Sequence, residues 1–141
     1  MGDIAMTKKS ITAEAAQRVV EAADAKARNM GVPMVIAICD ESGVLKTYRR
    51  MDGAAQLSVE IAQDKAFTAI SFGMPTHAWF DFIKDDAPLY QGIVNTPRLV
   101  VFGGGYPLKL GDDVIGGIGV SGGHYSQDQE VAEAGLAALK G

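Results

Sequence analysis

The run Val114–Gly123, V-I-G-G-I-G-V-S-G-G, constrains the fold of this chain more than any other stretch. Glycine weakens a strand interior, and a chain tolerates it there where something must approach the backbone closely. Alternation along a strand puts Val114, Gly116, Ile118 and Val120 on one face and Ile115, Gly117, Gly119 and Ser121 on the other. The second face is nearly bare, so a helix, a neighbouring subunit or a flat ligand can lie against it.

The rest of the chain supplies the partners of that strand. Thr12 is placed to cap a helix reaching Met30, where Ala15, Ala16, Val19, Val20, Ala23 and Ala27 recur at helical spacing before Gly31 and Pro33 stop it. Met34–Asp40 and Val44–Arg50 read as a hairpin turning at Glu41-Ser42-Gly43. Both alternating sets of the first run are apolar, which predicts a strand covered on both faces and makes Cys39 an inert core thiol. A second helix follows over Leu57–Phe72. Lys65 stands at the edge of its stripe Ile61, Ala62, Ala66, Ala69 and Ile70, where it either snorkels to water or projects into a pocket as a fixed charge.

Thr76 is placed to cap a short aromatic helix over His77–Lys84, and Asp85–Pro97 reads as a loop with at most one helical turn, a candidate lid or subunit contact. Arg98–Phe102 and Tyr106–Leu110 read as extended, separated by a flexible break at Gly103–Gly105. A last helix follows Gly123, with Ser126 and Gln129 as its capping box. Helix, two strands, two helices, three strands and a helix predict a single-domain α+β protein, one antiparallel sheet with helices packed on it. Apolar positions on both sheet faces of so short a chain favour a homo-oligomer that covers the second face.

Charge and cysteine content remove several classes of function. A net charge of −4, with no basic cluster longer than Lys8-Lys9 or Arg49-Arg50, argues against nucleic acid as partner. No apolar run approaches the roughly 20 residues of a membrane span. Residues 1–10 read as a flexible N-terminus without the apolar core of an export signal, so the cytoplasm is the expected compartment. The single cysteine excludes an internal disulfide framework, and two histidines without an i, i+4 partner do not make a metal site.

Chemistry is expected at the two ends of the glycine strand's neighbourhood. The exit Ser121-Gly122-Gly123 leads to His124 and the start of the last helix, whose free N–H groups favour an anion. His124, with an ordinary pKa of about 6.5, can serve there as acid or base, or stand as an exposed loop histidine. Asp128 either orients it or complements the helix dipole. Arg50 and Asp52 flank Met51 at the hairpin's end. Arg50 can grip a carboxylate in bidentate fashion while Asp52 positions it or supplies a base, or the two can form a salt bridge that pins the corner. Gly117 and Gly119 offer a bare floor to a ligand. Gly103–Gly105 lacks the lysine and hydroxyl residue of a phosphate loop, and Gly119–Gly123 spells G-x-S-x-G in a chain too short for the hydrolase fold that uses it.

Several motifs in order carry a resemblance: G-V-P-M-V-I-A-I-C-D-E-S-G-V-L (Gly31–Leu45), R-R-M-D-G-A (Arg49–Ala54), I-A-Q-D-K-A-F-T-A (Ile61–Ala69), M-P-T (Met74–Thr76), G-D-D-V-I-G-G-I-G-V-S-G-G (Gly111–Gly123) and Q-D-Q-E-V-A-E-A-G (Gln127–Gly135). Together they resemble the GlcG/HbpS-like family, which includes the C-terminal domain of PduO cobalamin adenosyltransferases, and they assign residues 11–141 to one such domain. The resemblance implies a profilin-like α+β fold, assembly into dimers or octamers, and haem binding or degradation in some members. The PduO-type domain is thought to use histidines of its first helix for haem, and Thr12–Met30 contains none. Iron ligation is then expected from His77, His124, a methionine or tyrosine, or the hydroxyl of Thr76. The expected function is an oligomeric small-molecule-binding protein whose ligand is haem or a corrinoid. The alternative is a cofactor-independent catabolic enzyme, isomerase, lyase or hydrolase-like, acting on a small organic acid through Arg50, Lys65 and His124.

Overall fold

Each element of the computed structural model, which describes residues 3–140, ends where a local device stops it. Helix α1 (Ala13–Met30) starts with the Thr12 hydroxyl accepting the Ala15 N–H at 3.1 Å. It ends at Gly31, whose φ of 72° lets its N–H reach the Ala27 and Arg28 carbonyls. Strands β1 (Val35–Asp40) and β2 (Leu45–Arg50) form the expected hairpin. Helix α2 (Ser58–Phe72) follows and closes on Gly73 in the left-handed region. After a 3₁₀ turn at Thr76–Ala78 come α3 (Trp79–Ile83) and α4 (Ala87–Gly92), then a second 3₁₀ turn at Ile93–Asn95. Strands β3 (Gly105–Leu110) and β4 (Asp113–Ser121) and helix α5 (Tyr125–Ala137) complete the chain. Among the described residues no helix is long and apolar enough to cross a membrane.

The sheet is antiparallel throughout, in the order β2-β1-β4-β3, so the glycine strand β4 is central. One face carries α1 and α5, which bury Ile36, Ile38, Leu108, Ile118 and Val120 against Val19, Val20, Ala23 and Val131. The other face carries α2. A methyl group on Gly117 would lie 2.7 Å from the Ala66 carbonyl oxygen, and one on Gly119 would run into the Ala62 carbonyl and stand 2.6 Å from the Ala66 nitrogen. The bare face is therefore the seat of a helix of the same chain, and Gly117 and Gly119 form no open floor. Over β1 and β4 the sheet needs no neighbouring subunit to cover it, which removes that ground for expecting an oligomer.

Four local expectations are corrected. Arg98–Phe102 is not a strand: the Val100 N–H donates to the Thr68 hydroxyl at 3.0 Å, and that hydroxyl donates to the Arg98 carbonyl at 2.9 Å, so a side chain of α2 takes the place of a ladder partner. Gly103–Gly105 is no flexible break but is buried, with Gly104 at φ 122° and a Cβ there only 2.6 Å from the Val120 carbonyl oxygen. Thr76 does not cap the aromatic helix. It is fully buried, and its hydroxyl accepts the Gly105 N–H at 2.9 Å, tying the 3₁₀ turn to the start of β3. Asp86 supplies a cap that turns part of the expected loop into α4, its carboxylate accepting the Leu89 N–H.

Candidate ligand-binding site

Lys65 neither snorkels nor opens into a pocket. Helix α2 points it into the end of the sheet, where no atom of it meets solvent, and its ammonium donates to the Asp128 carboxylate at 2.8 Å and to the Val120 carbonyl at 2.9 Å. Its remaining side faces the Phe102 ring, whose centroid is 5.0 Å away. Burial pushes the Lys65 pKa down and the Asp128 pKa up, and each partner's charge opposes the shift of the other. The Gly103–Gly105 loop wraps this pair closely: a Cβ on Gly104 would stand 2.7 Å from the Lys65 nitrogen.

Asp128 also governs how α5 begins. Its second oxygen accepts the Gly123 N–H at 2.9 Å, the Gln127 side chain accepts the His124 N–H at 3.0 Å, and His124 Nδ1 accepts the Ser126 N–H at 3.2 Å. The capping box is thus His124 with Gln127, two residues ahead of the expected Ser126 and Gln129. The backbone donors of Gly123, His124 and Ser126, expected to hold an anion, are satisfied by the chain's own side chains.

Beside the buried pair lies a hollow of about 440 Å³ lined by His77, Phe80, Asp81, Val101, Phe102, Gly103 and Tyr125. Phe102 is its hinge with the interior, covering Lys65 on one side and standing 6.4 Å from the Tyr125 ring on the other. Tyr125 stacks at 4.0 Å on His124, and His77 meets Tyr106 edge-on at 5.5 Å. The Tyr106 hydroxyl donates to Glu133 at 2.6 Å, and burial raises its pKa well above the ordinary value.

The remaining residues expected at a site lie elsewhere. Ser121 is buried and its hydroxyl donates to Ser58 at 3.2 Å, and Gly122 backs onto Pro33 and Met34. Arg50 and Asp52 sit at the open end of β2. Among the described residues no ion pair joins them, and Arg50 borders a shallow depression with Gln56, Leu57, Val59 and Glu60. A groove of about 510 Å³ runs between α2 and the hairpin, reaching Cys39, Asp64 and Arg98. Burial pushes the Cys39 thiol up to about 11, so it stays protonated there. Lys65 and His124 therefore lie behind the rings of Phe102 and Tyr125 that line the hollow, Thr76 and Gly123 are tied to Gly105 and Asp128, and Arg50 and Asp52 do not join the lining. Phe80, Phe102 and Tyr125 were missed as site residues. Their one sequence signal was the density of aromatic residues after Thr76 and around the glycine triplet.

A four-stranded antiparallel sheet with α1 and α5 on one face and α2 on the other defines the class of the fold, a single-domain α+β sandwich, and a ring-lined hollow lies beside Phe102. Residues 11–137 match the model of the family described as haem degrading protein HbpS-like, and the chain belongs to that family. An uncharacterised 15.0 kDa protein from the dhaT-dhaS intergenic region of Citrobacter freundii is 40% identical over 128 residues, covering 90% of each chain. The crystal structure of Klebsiella pneumoniae protein ORFY is 34% identical, with a TM-score of 0.90 over 96% of this chain and 94% of that one. A crystal structure of a PduOC:heme complex is also 34% identical, with a TM-score of 0.85 over 92% of this chain and 94% of that one.

Proposed function

We propose that this protein is an oligomeric, cytoplasmic small-molecule binder, that its ligand is haem, and that the hollow beside Phe102 receives it. The observation that carries the reading is the composition of that hollow: an imidazole, a phenol and aromatic walls meet in a volume within the range of about 300 to 1,000 Å³ usual for ligand pockets. Haem iron is held in proteins by histidine, thiolate, methionine or tyrosine. Of the groups expected from the sequence, the Thr76 hydroxyl is engaged with Gly105; Cys39, expected as an inert core thiol, borders a different groove and is held as a thiol. His77 and Tyr125 line the hollow, and the His124 ring packs behind Tyr125. The residues present fit the group: His77 would hold the iron, and Phe80, Phe102 and Tyr125 would pack on the porphyrin. Bound there, haem would supply a redox-active iron centre. Asp81 is the charged lining residue, so the propionate edge is better placed in water than against the wall.

The similarity to a haem complex over 92% of the chain supports the same reading. The enzyme reading needs Arg50, Lys65 and His124 on one organic acid and has less support, because Lys65 exposes no atom and Arg50 lies on the edge strand β2, two strands across the sheet from the end of β4. Titration of the purified protein with hemin tests the proposal. A shifted Soret band with stoichiometric uptake, lost in His77→Ala, is expected; no shift at micromolar protein overturns it. Hydroxocobalamin, titrated in parallel, tests the corrinoid alternative, and sedimentation velocity reads the oligomer.

A further inference from the structure

A second pocket, beside the C-terminal half of α2, is almost wholly apolar. It has a volume of about 170 Å³ and is walled by Phe67, Phe72, Trp79, Ile93, Pro97 and Leu99. Three hydroxyl residues, Thr68, Ser71 and Thr96, also border it, and two of their hydroxyls are turned into backbone bonds. Thr68 bridges Val100 N–H and the Arg98 carbonyl, and Ser71 donates to the Phe67 carbonyl at 2.7 Å. The nearest cation is also engaged: the Arg98 guanidinium lies 4.0 Å from the centre of the Phe67 ring and donates to Asp64 at 2.9 Å. Arg98 holds a φ of 69°, a left-handed conformation uncommon for a residue with a side chain, and these two contacts clamp the covering segment there. Trp79 is buried, and its indole N–H has no hydrogen-bond partner among the described residues.

We propose that this pocket binds a small, uncharged, largely hydrocarbon molecule of about six to ten non-hydrogen atoms, the size set by comparison with an engineered apolar cavity of about 150 Å³ that stays dry and takes benzene. Water is disfavoured, because it is held by two to four polar partners and the wall is almost wholly apolar, with the Thr68 and Ser71 hydroxyls already engaged. An ion is disfavoured more strongly, because nothing in the wall would replace its hydration. Haem is too large for the space, so this site is independent of the hollow beside Phe102.

Trp79 is the single tryptophan of the chain and lines the pocket, so its emission reports occupancy directly. Toluene is the probe, with benzoate as the charged molecule of similar ring size. Saturable change in Trp79 emission with toluene, a higher unfolding temperature in its presence, and at least tenfold weaker response to benzoate are expected. Leu99→Phe and Thr96→Phe fill the pocket from two positions, and either one that retains the wild-type far-ultraviolet spectrum should weaken the toluene response tenfold or more. No emission or melting change up to the solubility limit of toluene overturns the proposal. So does an equal response to benzoate, or an undiminished response in the folded, filled variants.

Discussion

Lys65 on α2 and Asp128 on α5 meet at 2.8 Å with neither side chain open to solvent, although the two helices lie on opposite faces of the sheet. Breaking a buried pair by removing one partner leaves an uncompensated charge and costs about 3–5 kcal/mol, whereas replacing both often costs little. Lys65→Met is therefore expected to lose about that much stability. Lys65→Met/Asp128→Asn, which keeps an acceptor for the Gly123 N–H, should recover most of it. Urea unfolding of the three proteins checks the order, and a double variant no more stable than Lys65→Met would refute it.

Gly119 is where β4 and α2 come closest, and a methyl group there runs into the Ala62 carbonyl. Overpacking of this kind costs about 1–3 kcal/mol, more when backbone rather than a side-chain tip must move. Gly119→Ala should lower the urea midpoint accordingly, while Gly111→Ala, at a turn with φ 63° and open space around it, should cost only backbone strain. Equal losses at the two positions would contradict the close seating of α2.

Burial pushes the Cys39 thiol from 9.0 to about 11. The folded state thus holds that proton more tightly than the unfolded chain. This contribution to stability is intact below pH 9.0 and is lost as pH rises through about 11. Native protein at pH 8 should react with a thiol reagent orders of magnitude more slowly than protein in denaturant. Comparable rates in the two states would place Cys39 at the surface.

Hydrogen bonds from Ser10 and Ser42, with the Lys8 ammonium at 3.3 Å, hold the Glu41 carboxyl down at about 2 instead of 4.5. A depressed carboxyl stabilises the fold above its unfolded pKa, so this contribution fades as pH falls from about 4.5 through about 2. Carboxyl carbon chemical shifts followed against pH should place the Glu41 midpoint at about 2, and Ser10→Ala should move it upward. A midpoint near 4.5 in the native protein would remove the bonds from Ser10 and Ser42.

Periodicity and glycine placement were enough to read α1, the β1–β2 hairpin, α2 and the central strand, because each is set by residues within a few positions of one another. Arg98–Phe102 was misread as a strand because its composition is strand-like and its actual partner is the Thr68 hydroxyl, 32 residues from Val100. The cap of α5 fell two residues early because the His124 ring nitrogen can accept an N–H as a serine oxygen does. At the site, Lys65 and Asp128 were both noted in isolation. Their 63-residue separation hides the pairing that gives Lys65 its role, and no spacing rule reaches that far. Arg50 and Asp52 were attractive for their chemistry and their position beside a turn. Only the placement of the chain in space separates them from the hollow.

The missing side chains of Gly117 and Gly119 act as a depth gauge for the whole molecule. They let α2 sink far enough for a lysine on its inner side to pass the end of the sheet and catch an aspartate of the layer beyond. A methyl group on β4 would lift that helix, draw the ammonium back from Asp128, and loosen Phe102 and the start of α5 together. Damage made in the middle of the sheet would then be felt as a change of shape at the ring-lined hollow, with no residue of the hollow itself altered.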